Sequence, residues 1–203
     1  MSSTLNKVHV LIFLALVACD QEALKEQRFE AKQSTGKTLV VGDSISIGYT
    51  PFLENAFHCP GNARSTTNTL HKFDLLTGNF QWDTIIFNNG IHDITFIDGT
   101  IRTSLDLYKA NLTELAFRYK QISKTQVFIT SSFIPPTTPF GRTDENIKLY
   151  NQAAIEIMNQ LNIKVIDIHD FTQNLDQYRS APNDVHYIEA GYELISEFIK
   201  ERI

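Results

Sequence analysis

The sequence predicts an α/β fold, a three-layer α/β/α sandwich built on a five-stranded parallel sheet. Three observations lead there. Short runs rich in Val and Ile alternate with longer segments of helical period. The short runs are almost continuously apolar, as strands covered on both faces are, and alternation of such strands with helices builds a parallel sheet. Polar clusters follow the strands, at the sheet edge where ligands of such folds bind.

The chain has 203 residues, 42% hydrophobic and 20% charged, with net charge −5. That length suits one domain with a full core. The charge and the lack of a basic stripe exclude a nucleic-acid partner. Residues 1–18 read as an export signal: Met1–Lys7 is polar, and Val8–Ala18 is apolar except for His9. That run is too short to cross a hydrocarbon core of about 30 Å as a helix. Leu16-Val17-Ala18-Cys19 resembles the bacterial lipobox. The resemblance implies acylation of Cys19, membrane contact through that lipid alone, and an exported lipoprotein at the periplasmic face or cell surface. Residues 19–36 then form a polar tether, and 37–203 the folded domain. The other cysteine, Cys59, is expected as a small buried residue without a disulfide partner.

The expected strands are Thr38–Val41, Phe57–His58, Thr84–Phe87, Val127–Thr130 and Val165–Ile168. A helix of roughly 46–56, broken near Pro51, follows the first. Leu105, Tyr108, Leu112, Leu115 and Tyr119 repeat at helical spacing, as do Ile147, Tyr150, Ala154, Ile157, Met158 and Leu161, and a last helix carries Leu194, Ile195, Phe198 and Ile199. Thr143 or Asp144 can cap the second of these.

The candidate site residues fall at the strand ends. Gly42-Asp43-Ser44 follows strand one, Gly61-Asn62-Ala63-Arg64 strand two, and Asn88-Asn89-Gly90-Ile91-His92-Asp93 strand three, while Asn183-Asp184-Val185-His186 precedes the last helix. A serine hydroxyl becomes a nucleophile when a base takes its proton, and an imidazole oriented by a carboxylate serves that purpose. Ser44 and His186 fit those two roles. Gly42 is read as permitting the tight turn that exposes the serine, with helix amides behind it facing a developing oxyanion. Asn88 and His92 are candidate oxyanion donors, and the His92-Asp93 pair can equally make a structural hydrogen bond. Asp167-Ile168-His169-Asp170 shows no third clustered metal ligand, so no metal is expected. Phe133–Arg142, stiffened by prolines, is placed to line a pocket.

From Leu39 to the C-terminus this ordered set resembles the SGNH/GDSL hydrolases, here a bacterial lipoprotein member. The resemblance implies a flavodoxin-like SGNH hydrolase fold and no cofactor. It makes Ser44 the nucleophile and His186 the base, with the Ser44 amide, a Gly61 or Asn62 amide and a side chain of the third cluster as oxyanion donors. Three departures leave alternatives open. Gly90-Ile91-His92-Asp93 places His where the family has its oxyanion Asn, as in a bacterial subgroup with an Asn-x-Gly-Leu/Ile-His-Asp pattern, so His92, Asn88 or Asn62 donates. The second cluster lacks the usual glycines, and Arg64 there binds a substrate anion or pairs with an acid. The family's Asp three residues before the His is Asn183 here; Asp184 takes the role through a shifted loop, or Asn183 or a backbone carbonyl does, with Asp184 the expected partner.

The expected activity is hydrolysis of a small acyl ester, such as an acetyl ester on a carbohydrate, through an acyl-enzyme. A lysophospholipase or thioesterase on the same site is the alternative enzyme. A lipoprotein that binds glycans without turnover is the non-enzymatic one. A small-molecule or glycan ester substrate is the expected partner.

Overall fold

A computed structural model describes residues 38–78 and 80–203, so the signal, lipidation and tether readings lie outside the described residues. In chain order, β1 (Thr38–Val41) leads into helix α1 (Ser44–Tyr49) and a 3-10 turn at Thr50–Phe52, then β2 (Ala56–His58). Two short helices, α2 (Thr66–His71) and α3 (Phe73–Thr77), precede β3 (Trp82–Phe87). A hairpin of β4 (Phe96–Ile97) and β5 (Thr100–Ile101) comes next. Helix α4 (Leu105–Ile122), β6 (Ser123–Ile129), α5 (Asp144–Gln160), β7 (Lys164–Ile166), α6 (His169–Gln173) and α7 (Glu189–Lys200) complete the chain.

The five long-range strands form one parallel sheet in the order β2-β1-β3-β6-β7. The expected α/β sandwich and its strand count are therefore observed. β3 and β6 begin earlier than their apolar runs, at Trp82 and Ser123, and β7 stops at Ile166 rather than Ile168. The Phe96–Ile101 hairpin was not anticipated. Its turn residues Asp98 and Gly99 both have positive φ, 51° and 80°, the geometry an Asp-Gly pair supplies.

Helices cover the sheet through the predicted stripes. Tyr108, Leu112, Leu115 and Tyr119 of α4 are fully buried, and Tyr119 meets Phe87 of β3 with ring centroids 4.7 Å apart. Tyr108 meets Tyr150 of α5 at 4.8 Å, which locks α4 to α5. Truncating a core side chain such as Leu112 to Ala would cost about 2–5 kcal/mol. Thr143, not Asp144, caps α5, accepting from the Asn146 amide at 3.2 Å. Cys59 is a free buried thiol, pushed up to about 12 chiefly by burial, and is inert near neutral pH.

The register aligns the strand ends. Val41 of β1 stands beside Phe87 of β3, and Val40 beside His58 of β2. Beyond the strands the ladder continues: Asn88 N donates to Val41 O at 3.1 Å, Cys59 N to Val40 O at 2.8 Å, and Ala63 N to Gly42 O at 2.8 Å. The turns after β1, β2 and β3 thus lie side by side.

Candidate active site

Ser44 is the first residue of α1, at the carboxyl end of β1. Asp43 caps the helix by taking the Ile45 amide at 3.0 Å on Oδ1. The first amides of a helix have no intrahelical acceptor, so this cap leaves the Ser44 amide open. The helix is short, tightening into the 3-10 turn at Pro51. Ser44 Oγ lies 2.8 Å from His186 Nε2, and His186 Nδ1 lies 2.7 Å from Asp184 Oδ1. Hydroxyl, imidazole and carboxylate stand in one hydrogen-bonded row. Among the described residues the ring's hydrogen bonds go to Ser44 and Asp184, and none goes to Asn183.

The loop geometry explains the unusual spacing. Asn183 adopts a left-handed φ of 61°, which Asn tolerates better than most residues, and its carbonyl accepts from Thr138 Oγ1 at 3.2 Å. The chain then turns so that Asp184 Oδ1 also takes the His186 amide at 3.1 Å. Ser180 Oγ donates to the other oxygen, Oδ2, at 2.7 Å. Partial burial would raise the Asp184 carboxyl. The hydrogen bonds from Ser180 and His186, with the His186 charge, outweigh it and hold the group at about 2. Asp184 is therefore an anion wherever an imidazole can act as a base.

The turns after β2 and β3 supply the remaining polar groups. Gly42 has an ordinary backbone, so its turn does not need glycine for its dihedrals. It needs room: a Cβ there would lie 1.8 Å from Asn88 Oδ1 and 2.5 Å from Ser46 Oγ. Asn88 is buried, and its Oδ1 has no hydrogen-bond partner among the described residues. Gly61 has φ 72° and open space before it. Asn62 Oδ1 accepts from the Arg64 amide at 2.8 Å, a turn contact. Arg64 has a left-handed φ of 62°, and its carbonyl accepts from Asn89 Nδ2 at 2.8 Å.

His92 and Asp93 separate in role. Asp93 is fully buried and takes the Thr66 amide at 3.0 Å and the Thr66 hydroxyl at 2.7 Å, tying the second turn to the third. It is structural, as one reading of the sequence allowed. His92 is half-buried. Burial lowers its proton affinity; Asp43 opposes this, and Arg142, Arg102 and Arg64 lower it further. These influences favour the neutral form of His92, which keeps one ring N–H to donate.

Four contributors escaped the sequence reading: Ser180, Arg179, Arg102 and Arg142. Only Arg142 fell in a segment already singled out, the proline-stiffened loop. His169 sits between Asp144, at 2.7 Å, and Asp170, at 3.1 Å, and joins α6 to the start of α5. Among the described residues no group of three or more His, Cys, Asp or Glu side chains could hold a metal. A recess of about 340 Å³ lies at the amino-terminal edge of the sheet, where Thr38, Thr84 and Lys200 line it, away from Ser44.

A parallel α/β sheet with a serine–imidazole–carboxylate row at its carboxyl edge is the build of an ester hydrolase. The family model described as "GDSL-like Lipase/Acylhydrolase family" matches residues 40–194, and the chain belongs to that family of carboxylic ester hydrolases. Solved structures agree on the fold. An alpha/beta hydrolase enzyme, LAE5, from the metagenome of Lake Arreo superposes with a TM-score of 0.70 at 16% identity, covering 82% of this chain and 94% of its own. A lipase/acylhydrolase from Enterococcus faecalis gives 0.69 at 19% identity, over 82% and 94%. The acetyl xylan esterase AlAXEase gives 0.69 at 12% identity, over 82% and 98%. No curated protein matches the chain.

Proposed function

We propose that this protein is a serine esterase that removes a small acyl group, acetyl first among them, from a carbohydrate through an acyl-enzyme on Ser44. The observation that carries the reading is the continuous row Ser44–His186–Asp184, at 2.8 and 2.7 Å. Ser44 Oγ attacks the ester carbonyl as His186 Nε2 takes its proton, and Asp184 orients the ring and stabilises the imidazolium. The open Ser44 amide faces the developing oxyanion, joined by donors from the adjoining turns, where Gly61, Asn62, Asn88 and His92 are available. His186 then protonates the leaving alcohol, and water repeats the sequence on the acyl-enzyme. The acetyl and carbohydrate parts draw on the likeness to an acetyl xylan esterase, which is a likeness of fold.

The test is hydrolysis of p-nitrophenyl acetate by the purified protein beside Ser44→Ala, followed by acetylated oligosaccharides. Turnover lost at least about 10³-fold in the variant is expected; equal rates would remove Ser44 from the role. Exposed Phe96 and Phe140 favour a second reading, a lysophospholipase or thioesterase on the same site. A series of p-nitrophenyl esters of rising chain length separates the two. We further propose export as a lipoprotein anchored through Cys19, supported by the apolar run ending in Leu16-Val17-Ala18-Cys19. Labelled palmitate should enter the full chain and not Cys19→Ala.

A further inference from the structure

The turn after β3 gathers arginines. Arg142 Nε donates to Thr95 Oγ1 at 3.0 Å, and the Arg102 amide donates to the Thr95 carbonyl at 2.8 Å. The Arg64 carbonyl is held by Asn89 Nδ2 at 2.8 Å. Three arginines are thus each tied by hydrogen bonds to residues 89–95, around half-buried His92, whose proton affinity the charges of all three depress.

These three differ from the other arginines described. Arg118 pairs with Glu114 at 2.7 Å, Arg179 with Asp176 at 3.1 Å and Arg202 with Glu201 at 3.1 Å. Arg64, Arg102 and Arg142 have no carboxylate at salt-bridge distance among the described residues. Asp43, which caps Ile45 through Oδ1, and Asp93, which binds Thr66, act on Arg142 and Arg102 from beyond salt-bridge distance, two carboxylates for three guanidinium groups. Cations gathered without a directly paired carboxylate repel one another, and a chain of net charge −5 has acids to spare for pairing. Arg64 also keeps a side chain at a left-handed φ of 62°, where glycine would be unstrained. Arg142 lies over the Phe140 ring at 5.3 Å, and Phe140 is 66% exposed, so the cluster opens onto an apolar face.

We propose that the esters this site takes carry a permanent anion on the alcohol, a carboxylate, sulfate or phosphate, held by Arg64, Arg102 and Arg142 while Ser44 attacks the ester. The acylated alcohol is then an acidic sugar or a comparable anionic alcohol, which deepens the esterase reading and rests on it. Guanidinium groups suit such oxyanions because their forked N–H donors bind them two at a time. An oxyanion that exists only during the reaction needs one or two donors and does not account for three unpaired arginines.

The test compares 4-acetoxybenzoate with its methyl ester, which differ by one charge. Comparing the ratio of their kcat/KM values between wild type and variant cancels their intrinsic reactivities. Arg64→Gln and Arg102→Gln are suitable because both residues are exposed and contact the fold through backbone atoms. The acid-to-ester ratio is expected to fall roughly tenfold in each, through KM. Added NaCl should raise KM for the acid alone. A ratio unchanged by substitution overturns the proposal and assigns the arginines to the transition-state oxyanion or to the fold. Competition by glucuronate, inorganic sulfate and inorganic phosphate at equal ionic strength separates the three anion sources. If wild type and Ser44→Ala are equally inactive on both esters, it is the esterase reading that fails. Calorimetric titration of the full chain with those three anions then decides the anion site by itself: binding that Arg102→Gln weakens supports it, and no binding overturns it.

Discussion

Arg179 holds Asp184 from behind. Its Nη1 donates to the main-chain oxygens of Asp184 at 3.1 Å and Val185 at 3.3 Å, while Nη2 reaches the Phe133 carbonyl at 3.4 Å. The side chain is only 4% exposed and lies over the Tyr187 ring at 4.7 Å. One buried cation therefore fixes the loop that presents both Asp184 and His186. Arg179→Ala should destabilise the protein by about 2–4 kcal/mol in urea unfolding, because buried carbonyls lose their donors. It should also lower kcat more than it raises KM, since the imidazole loses its fixed aim.

Asp184→Asn should reduce kcat/KM by about 10³–10⁴-fold, as an amide leaves the ring in the wrong tautomer. Ser180→Ala should cost far less, a few-fold, because Asp184 Oδ1 keeps both His186 contacts. The native Asp184 carboxyl is held at about 2, below its ordinary 3.8. Its contribution to stability is complete above about pH 4 and is lost as pH falls toward about 2. Acid unfolding of Asp184→Asn should lack that component, read by circular dichroism against pH.

Gly42→Ala should damage stability and turnover together. The added methyl would meet Asn88 Oδ1 at 1.8 Å and Ser46 Oγ at 2.5 Å, so Asn88 must move. A loss of about 1–3 kcal/mol is expected from such overpacking. Unfolding midpoints and p-nitrophenyl acetate turnover check it.

Asp93 gives the opposite pH dependence to Asp184. Burial raises its carboxyl from 3.8 to about 6, with the hydrogen bonds from Thr66 and the Arg102 charge opposing. Between about pH 4 and about pH 6 the folded state holds a proton that the unfolded chain releases, so this group makes stability fall as pH rises through that window. Wild type should lose on the order of 1–3 kcal/mol relative to Asp93→Asn across it, read from melting temperatures at each pH.

What could be read in the sequence follows from the range of each signal. The strands around Val40, Ile86 and Val127 announce themselves by local apolar runs, and the polar turns that follow them by local chemistry. Ser44 could be picked because it sits at such a turn, and His186 because it closes a polar cluster just before the last helix. Arg102, Arg142, Arg179 and Ser180 carry no local mark; their importance depends on which segments meet. Gly42 was singled out for its backbone freedom, yet its place is set by the Asn88 side chain from a different strand end. The Asp98-Gly99 hairpin was written locally and passed over. Between Asn183 and Asp184 the spacing alone was ambiguous, and the left-handed turn at Asn183 decides which side chain faces the imidazole.

Ser44 and His186, which share a hydrogen bond, are 142 residues apart in the chain. Ser44 is made early, just after the first strand, and its imidazole and carboxylate partners arrive much later. A nascent chain growing from its amino end thus carries the Ser44 hydroxyl without its imidazole partner until the loop before the last helix is made, and any truncation before His186 leaves the sheet without that ring. The row Ser44–His186–Asp184 is thus closed only near the end of synthesis, and a prematurely ended product lacks it.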